Sequence, residues 1–304
     1  MAHLPTLDAQ HPSSIHPATT LGLVTLAVAN AAPSIGFYRD LLGFELLVDD
    51  GARLQFGAGG QALLELQVQP GLRPKPRRTT GLYHVAFVVP TRRDLAHVLQ
   101  RIMAAHYPLG ASDHLVSEAL YLSDPDGNGL EIYRDRPRET WRTQPNGELM
   151  MDTLPLDLAD VLKERTASAA HPPAMAAGTR VGHMHLQVAD LAQAQRFYGA
   201  VLGFDVMVRI PGALFLGAGG YHHHFGLNIW DSANAPTPPA DVAGLRLFTI
   251  ELPSVAALNF VRERIVAAEI SFHEAATGLT LADPWDNQIV LQVASIADSQ
   301  TMLV

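Results

Sequence analysis

The sequence predicts an α+β fold of four βαβββ modules arranged in two tandem halves, and three observations predict it. The halves match each other at a constant offset, hydrophobic periodicity changes in the same order within each copy, and one turn signature recurs near the end of each half. Gly22 matches Gly182 and Asn30 matches Asp190. Phe37-Tyr38 matches Phe197-Tyr198, Leu42-Gly43-Phe44 matches Leu202-Gly203-Phe204, and Gly57-Ala58-Gly59-Gly60 matches Gly217-Ala218-Gly219-Gly220.

Each copy opens with alternation, in Leu23 to Val28 and in His183 to Val188, which reads as a strand. A short helix follows, with Asn30 or Asp190 as its cap and Gly43 or Gly203 just past its end. Three short strands close the module, near 45–49, 52–56 and 62–68 in the first copy. A second module follows in each half. Strand 83–89, a helix over 92–105 and a strand ending at Glu131-Ile132-Tyr133 make up one; strand 247–252 and a helix over 255–268 begin the other. The turns Asp124-Pro125-Asp126-Gly127-Asn128 and Asp283-Pro284-Trp285-Asp286-Asn287 place Asp, Pro and Asn where a tight hairpin wants them. The expected organisation is an N-terminal arm over 1–20, a first half over 21–135, a connecting stretch over 136–179 with an Ala/Pro-rich end, and a second half over 180–295.

Composition narrows the function. The 304 residues carry a formal charge of -9, which disfavours binding to a phosphate backbone, so no nucleic-acid partner is expected. There is no cysteine, and any metal must therefore sit on His, Asp or Glu. The first twenty residues lack a basic start followed by an apolar block, and no apolar run approaches the roughly 20 residues that span a bilayer. No membrane association and a cytoplasmic location are the expectation.

Four such modules, the motif FY-x3-LGF after the first strand and DP-x-GN-x-x-E at the end of the second module resemble the vicinal oxygen chelate superfamily, which includes glyoxalases, bleomycin resistance proteins and extradiol dioxygenases. Ile15-His16-Pro17, the run from Gly110 to Tyr121, Glu131 to Pro137 and Gly220-Tyr221-His222-His223-His224 resemble its bacterial catechol-2,3-dioxygenase branch. The resemblance implies cupped mixed sheets built from paired modules, with metal ligands projecting inward from the first and last strands of each.

On the first strands the implied ligand position lies seven residues before the helix cap. It selects Leu23, His84, His183 and Leu247 in the four modules; the last-strand positions are Glu65, Glu131, Asn228 and Val290. His84, Glu131 and His183 are thus the expected metal ligands, with His185 and Glu65 in reserve. Two His and one carboxylate leave open positions on a metal, as Fe(II) oxygen chemistry requires, and Mn(II) is an alternative. Tyr121, ten residues before Glu131, is expected to bond a substrate oxygen. His222 and His224 share one side of the strand leading to Asn228, and one of them, His224 by preference, is expected to act as acid-base catalyst. His114 is expected to line the pocket.

The implied activity is extradiol cleavage of a small aromatic diol by O2, in a homo-oligomer. A glyoxalase-like lyase or isomerase, a thiol transferase, or a metal-free binding protein of the same fold is the alternative. Phe37, Tyr38, Phe197 and Tyr198 are expected in the core rather than the pocket.

Overall fold

The structure is a computed structural model that describes residues 14–165, 174–275 and 277–294. Most of the expected N-terminal arm and the last residue of the expected second half lie outside the described residues.

The first module comprises β1 (Thr20–Val28), α1 (Ala31–Ile35), β2 (Glu45–Asp49), β3 (Arg53–Ala58) and β4 (Gln61–Val68). The second comprises β5 (Gly81–Val88), α2 (Arg92–Ala104), β6 (Gly110–Asp113), β7 (Ser117–Ser123) and β8 (Gly129–Asp135). The connecting stretch carries β9 (Leu154–Pro155) and α3 (Leu158–Lys163). The third module is β10 (Arg180–Gln187), α4 (Leu191–Ala194), β11 (Asp205–Ile210), β12 (Ala213–Gly217) and β13 (Phe225–Asn228). The fourth is β14 (Gly244–Leu252), α5 (Val255–Ala267), β15 (Phe272–Ala275), β16 (Gly278–Ala282) and β17 (Gln288–Val293).

Modules pair across the halves. Modules one and four form an eight-stranded sheet in the order β15-β16-β17-β14-β1-β4-β3-β2. Modules three and two, joined by β9, form a nine-stranded sheet in the order β11-β12-β13-β10-β5-β8-β7-β6-β9. Within each module the first and last strands run parallel, and the two modules of a sheet meet through antiparallel first strands, β1 on β14 and β5 on β10. The architecture is the α+β arrangement that the periodicity predicts, with two mixed sheets.

Two of the helix caps, Asn30 and Asp190, are those read from the sequence, and Thr91 and Ser254 play the same part in the other two modules. The side chains of Asn30, Thr91, Asp190 and Ser254 accept hydrogen bonds from the first turns of α1, α2, α4 and α5. Gly43 and Gly203 take positive φ (85° and 95°) after the helices, a conformation that L side chains with a Cβ resist. The first and third modules differ from a plain α-helix: after one turn the chain widens to π geometry over 36–41 and 195–201, and Leu42 and Leu202 donate to the Phe37 and Phe197 carbonyls, five residues back. The wider turn leaves both adjacent aromatics buried.

One core cluster runs through both sheets and their helices, with Leu26, Phe44, Phe56, Phe87, Phe225 and Phe248 at its centre. Two motifs that look independent in sequence meet there. The Tyr38 hydroxyl donates to Asp124 (3.0 Å), and Tyr198 donates to Asp283 (2.8 Å), so each DP turn is fastened to the helix of the preceding module. Each Asp also accepts from backbone amides of its own turn, which satisfies a buried carboxylate. Among the described residues no helix is long and apolar enough to cross a membrane.

Candidate metal centre

Strand alternation gives the nine-stranded sheet two different faces. Val85, Phe87, Leu130 and Ile132 point to the core, while His84, Glu131 and Tyr133 occupy the alternate positions. On that second face three donor atoms converge. His84 Nε2 and His183 Nε2 each lie 3.0 Å from Glu131 Oε2 and 3.3 Å from one another, and all three residues are buried. Bonds of about 2.1 Å meeting at right angles put neighbouring donor atoms about 3.0 Å apart, so these three sites match one face of a metal's coordination shell. Burial would raise the Glu131 carboxyl, but the two imidazoles outweigh it and hold it well below the usual carboxylate range. Burial pushes His183 down to about 4, and Glu131 reverses only part of that. The donors are thereby a carboxylate and a neutral imidazole, the forms that bind a cation. Among the described residues no other three such donors converge.

The remaining sequence-selected positions separate cleanly. His185 is buried beside His84, but its Nε2 is engaged by the Asn228 amide (3.0 Å) and does not join the cluster. Glu65 lies on the other sheet, where it accepts from Gln55 and pairs with Arg53. The last-strand position of module three is Gly226 rather than Asn228. Thr25 pairs with Glu65, Ala86 with Glu131 and Thr249 with Val290, and the residue in that place opposite His185 is Gly226. A Cβ on Gly226 would stand 2.9 Å from the His185 ring, so no fourth donor fits there.

A cavity of about 470 Å³ opens onto the three donors, within the range of small-molecule sites. Tyr83, Phe215 and Trp230 supply aromatic walls, and Val208, Ile210 and Met151 apolar ones. Tyr121 stands opposite Glu131 on β7 and His114 follows β6; both line the cavity. The Tyr121 hydroxyl is 2.6 Å from His114 Nε2, and His114 Nδ1 is 2.7 Å from the Asp152 carbonyl. A carbonyl only accepts, so His114 Nδ1 carries a proton, and with Nε2 bare the Tyr121 hydroxyl donates to it. Burial, reinforced by Glu131, raises the Tyr121 phenol well above its ordinary value and keeps it a donor.

In the run 222–224 the residue facing the cavity is His223, and neither His222 nor His224 lines it. The His223 ring centroid lies 4.2 Å from that of His183 and 5.0 Å from Phe215. His224 is packed away against Phe204 and Tyr221, its Nδ1 accepting from the Ala218 amide, and burial drives it down to about 3. His222 bridges Asp135 and His223, with 2.8 Å on either side. The place of the run, ahead of β13, explains the change of face. The repeat offset is 160 residues at the first strands (Val24 to Met184), but their partners Leu64 and Phe225 are 161 apart. One residue is inserted before β13, and the run itself precedes the strand, so strand alternation does not extend over it.

Sequence reasoning overlooked Asp135, Tyr133 and Tyr221. The signal was present for the first two, because Tyr133 and Asp135 stand two and four residues beyond Glu131 on β8 and share its face. Gly182 belongs with them: a Cβ there would overlap the Tyr133 hydroxyl.

A sequence model of the Glyoxalase/Bleomycin resistance protein/Dioxygenase superfamily matches residues 20–132 and 180–291. A catechol-2,3-dioxygenase of Bacillus subtilis (strain 168) is 41% identical over 276 residues, spanning 90% of this chain and 96% of that protein. Biphenyl-2,3-diol 1,2-dioxygenase 3 of Rhodococcus globerulus is 35% identical over 102 residues, 31% of this chain and 54% of that one. Glyoxalase I from Zea mays shares the fold, with a TM-score of 0.55 at 15% identity over 91% of this chain and 92% of that one. With both halves matched, and one relative aligned over nearly its whole length, the chain belongs to the glyoxalase/bleomycin resistance protein/dioxygenase superfamily.

Proposed function

We propose that the protein is an extradiol dioxygenase that opens a catechol-like aromatic ring with O2, using Fe(II) held by His84, Glu131 and His183. The observation that carries this reading is the convergence of those three donors at an aromatic-walled cavity, in a chain similar to a catechol-2,3-dioxygenase over nearly its full length. A two-His, one-carboxylate set suits Fe(II) and also Mn(II), the second choice of metal. When bound, the metal supplies a redox-active centre with open positions for a chelating diol and for dioxygen.

The chain's own residues do the rest. Tyr83, Phe215 and Trp230 pack the ring and exclude water. Tyr121, whose hydroxyl hydrogen goes to His114 Nε2 in the empty cavity, turns that hydrogen to a substrate oxygen when substrate is bound, and His114 holds the ring in place for it. His223, neutral through burial and the surrounding imidazoles, is the cavity-facing base that takes a catechol proton. This assigns to His223 the role expected of His224 or His222. A lyase or transferase that needs a fourth protein donor is disfavoured by Gly226, and a metal-free binding protein would leave Glu131 and two imidazoles buried against one another without purpose. A cytoplasmic location and a homo-oligomer complete the proposal.

The test is anaerobic reconstitution with Fe(II), followed by a catechol and air. One metal per chain, oxygen uptake and a yellow ring-fission product are expected. Tight binding of Ni or Zn with no oxygen uptake across a panel of catechols would overturn the reading in favour of a lyase or transferase.

A further inference from the structure

We infer that Asp135 and His222 are positioning residues that fix which nitrogen of His223 carries the proton, presenting its Nε2 to the cavity as a bare base. The inference rests on the role of His223 proposed above, but its first readout does not.

Asp135, His222 and His223 form a chain of hydrogen bonds along which the protons can be counted. Asp135 Oδ1 lies 2.8 Å from His222 Nε2, and a carboxylate only accepts, so His222 carries its proton on Nε2. If that is the only proton on the His222 ring, its Nδ1 is bare. His223 Nδ1 lies 2.8 Å from that atom, and one proton must sit between them, so His223 donates it. With its proton on Nδ1, His223 keeps a free lone pair on Nε2. The hydrogen bond of His223 is made at Nδ1, and the ring lines the cavity. The hydrogen bond at one ring nitrogen thus decides the state of the other, as in carboxylate–imidazole pairs generally.

Two further observations support a dedicated arrangement. Asp135 is held from a second direction: the Tyr221 hydroxyl lies 3.0 Å from Oδ2, and Tyr133 and Tyr221 share a hydrogen bond of 2.7 Å. Burial alone would raise the Asp135 carboxyl, yet His222 and Tyr221 hold it below the ordinary range, so it remains an acceptor. The fold does not require the arrangement. Module one has Ala62 and Leu63 where module three has the three histidines, and Gln292 stands at the position related to Tyr133.

Imidazole-15N histidine labelling of the full chain loaded with diamagnetic Zn(II) reads each tautomer directly. The expected result is His222 protonated at Nε2 and His223 at Nδ1. In Asp135→Asn the amide can donate to His222 Nε2, so the His223 proton is expected to move to Nε2 or to distribute over both nitrogens. In the Fe(II) form the same variant should lose about 10²–10⁴ in kcat, the scale of losing a tautomer-fixing carboxylate in a catalytic triad, with KM and metal content within about twofold. Asp135→Glu should restore part of the loss. Should Asp135→Asn not fold, His222→Gln provides the same two readouts. A wild-type His223 protonated at Nε2, or a variant with the tautomers moved and kcat unchanged, overturns the inference. Tautomers as stated in a chain that opens no catechol would instead defeat the proposed reaction and leave the hydrogen-bond assignment standing.

Discussion

Glu131→Ala is expected to abolish stoichiometric metal binding and, with it, oxygen uptake on catechols, while leaving the fold in place. The carboxylate is the anionic member of the cluster, and both His84 Nε2 and His183 Nε2 lie 3.0 Å from its Oε2. Losing a group that merely supports a ligand costs about 10–100-fold in metal affinity, so losing the charged donor itself should cost more. The fold is expected to survive because β8 is held by ladders to β5 and β7 on either side, and the core-facing Leu130 and Ile132 are untouched. Metal analysis after dialysis, with circular dichroism as the control, measures both claims. A variant that retains one metal per chain would show that the donors lie elsewhere.

Glu118→Ala should be strongly destabilising although it lies away from the cavity and outside the apolar core. Glu118 is 2% exposed on β7, and its carboxylate is surrounded by three guanidinium groups: Arg92 Nε at 2.9 Å, Arg134 Nε at 2.7 Å and Arg136 Nη2 at 3.3 Å. Arg92 also pairs with Asp160, so Glu118 links the start of α2, the end of β8 and the connecting helix α3. Removing it leaves partly buried cations without their common partner, which costs about 3–5 kcal/mol. For a chain of 304 residues that is about 5–8 °C in Tm. Burial works to raise the Glu118 carboxyl, but the arginines outweigh it and hold it below its ordinary 4.5. A depressed carboxylate contributes stability that is complete above the unfolded-state value and is lost as pH falls through the folded one. The gap between wild type and variant should therefore be full at pH 7 and narrow below about pH 4.5. Thermal unfolding of both proteins at pH 7 and in mild acid tests this. A gap under about 1 kcal/mol at neutral pH would show that the cluster is a solvated surface network.

How much of this is legible in the sequence depends on the reach of the signal. The modules, their strands and their caps are encoded locally, by alternation, by helical spacing and by Asn30, Thr91, Asp190 and Ser254 at the helix starts. The three converging donors could be located because His84 and His183 stand at one fixed distance before a cap, and Glu131 at the matching place on a closing strand. The histidine run was misjudged because it lies before β13 begins at Phe225, so the alternation read back through it from Asn228 does not apply. The pairing of Asp135 with His222 joins residues 87 apart in sequence, a contact that no local periodicity encodes. The π turns were not legible either, since the spacing of Phe37 and Tyr38 suits an α-helix as well.

The way modules pair across the halves has a consequence for the integrity of the chain. Each half offers the first strands of its two modules to the other, so cleavage between residues 166 and 173 would leave two fragments still joined along two ladders, β1 with β14 and β5 with β10. Fragments 1–165 and 174–304 made together should co-elute as one particle on size exclusion, and one made alone should expose two unpaired strand edges and aggregate. The donors are divided in the same way, His84 and Glu131 on the first piece and His183 on the second. Reassembly would then be recorded by metal retention, with the ion acting as a third rivet between two pieces that have no binding site apart.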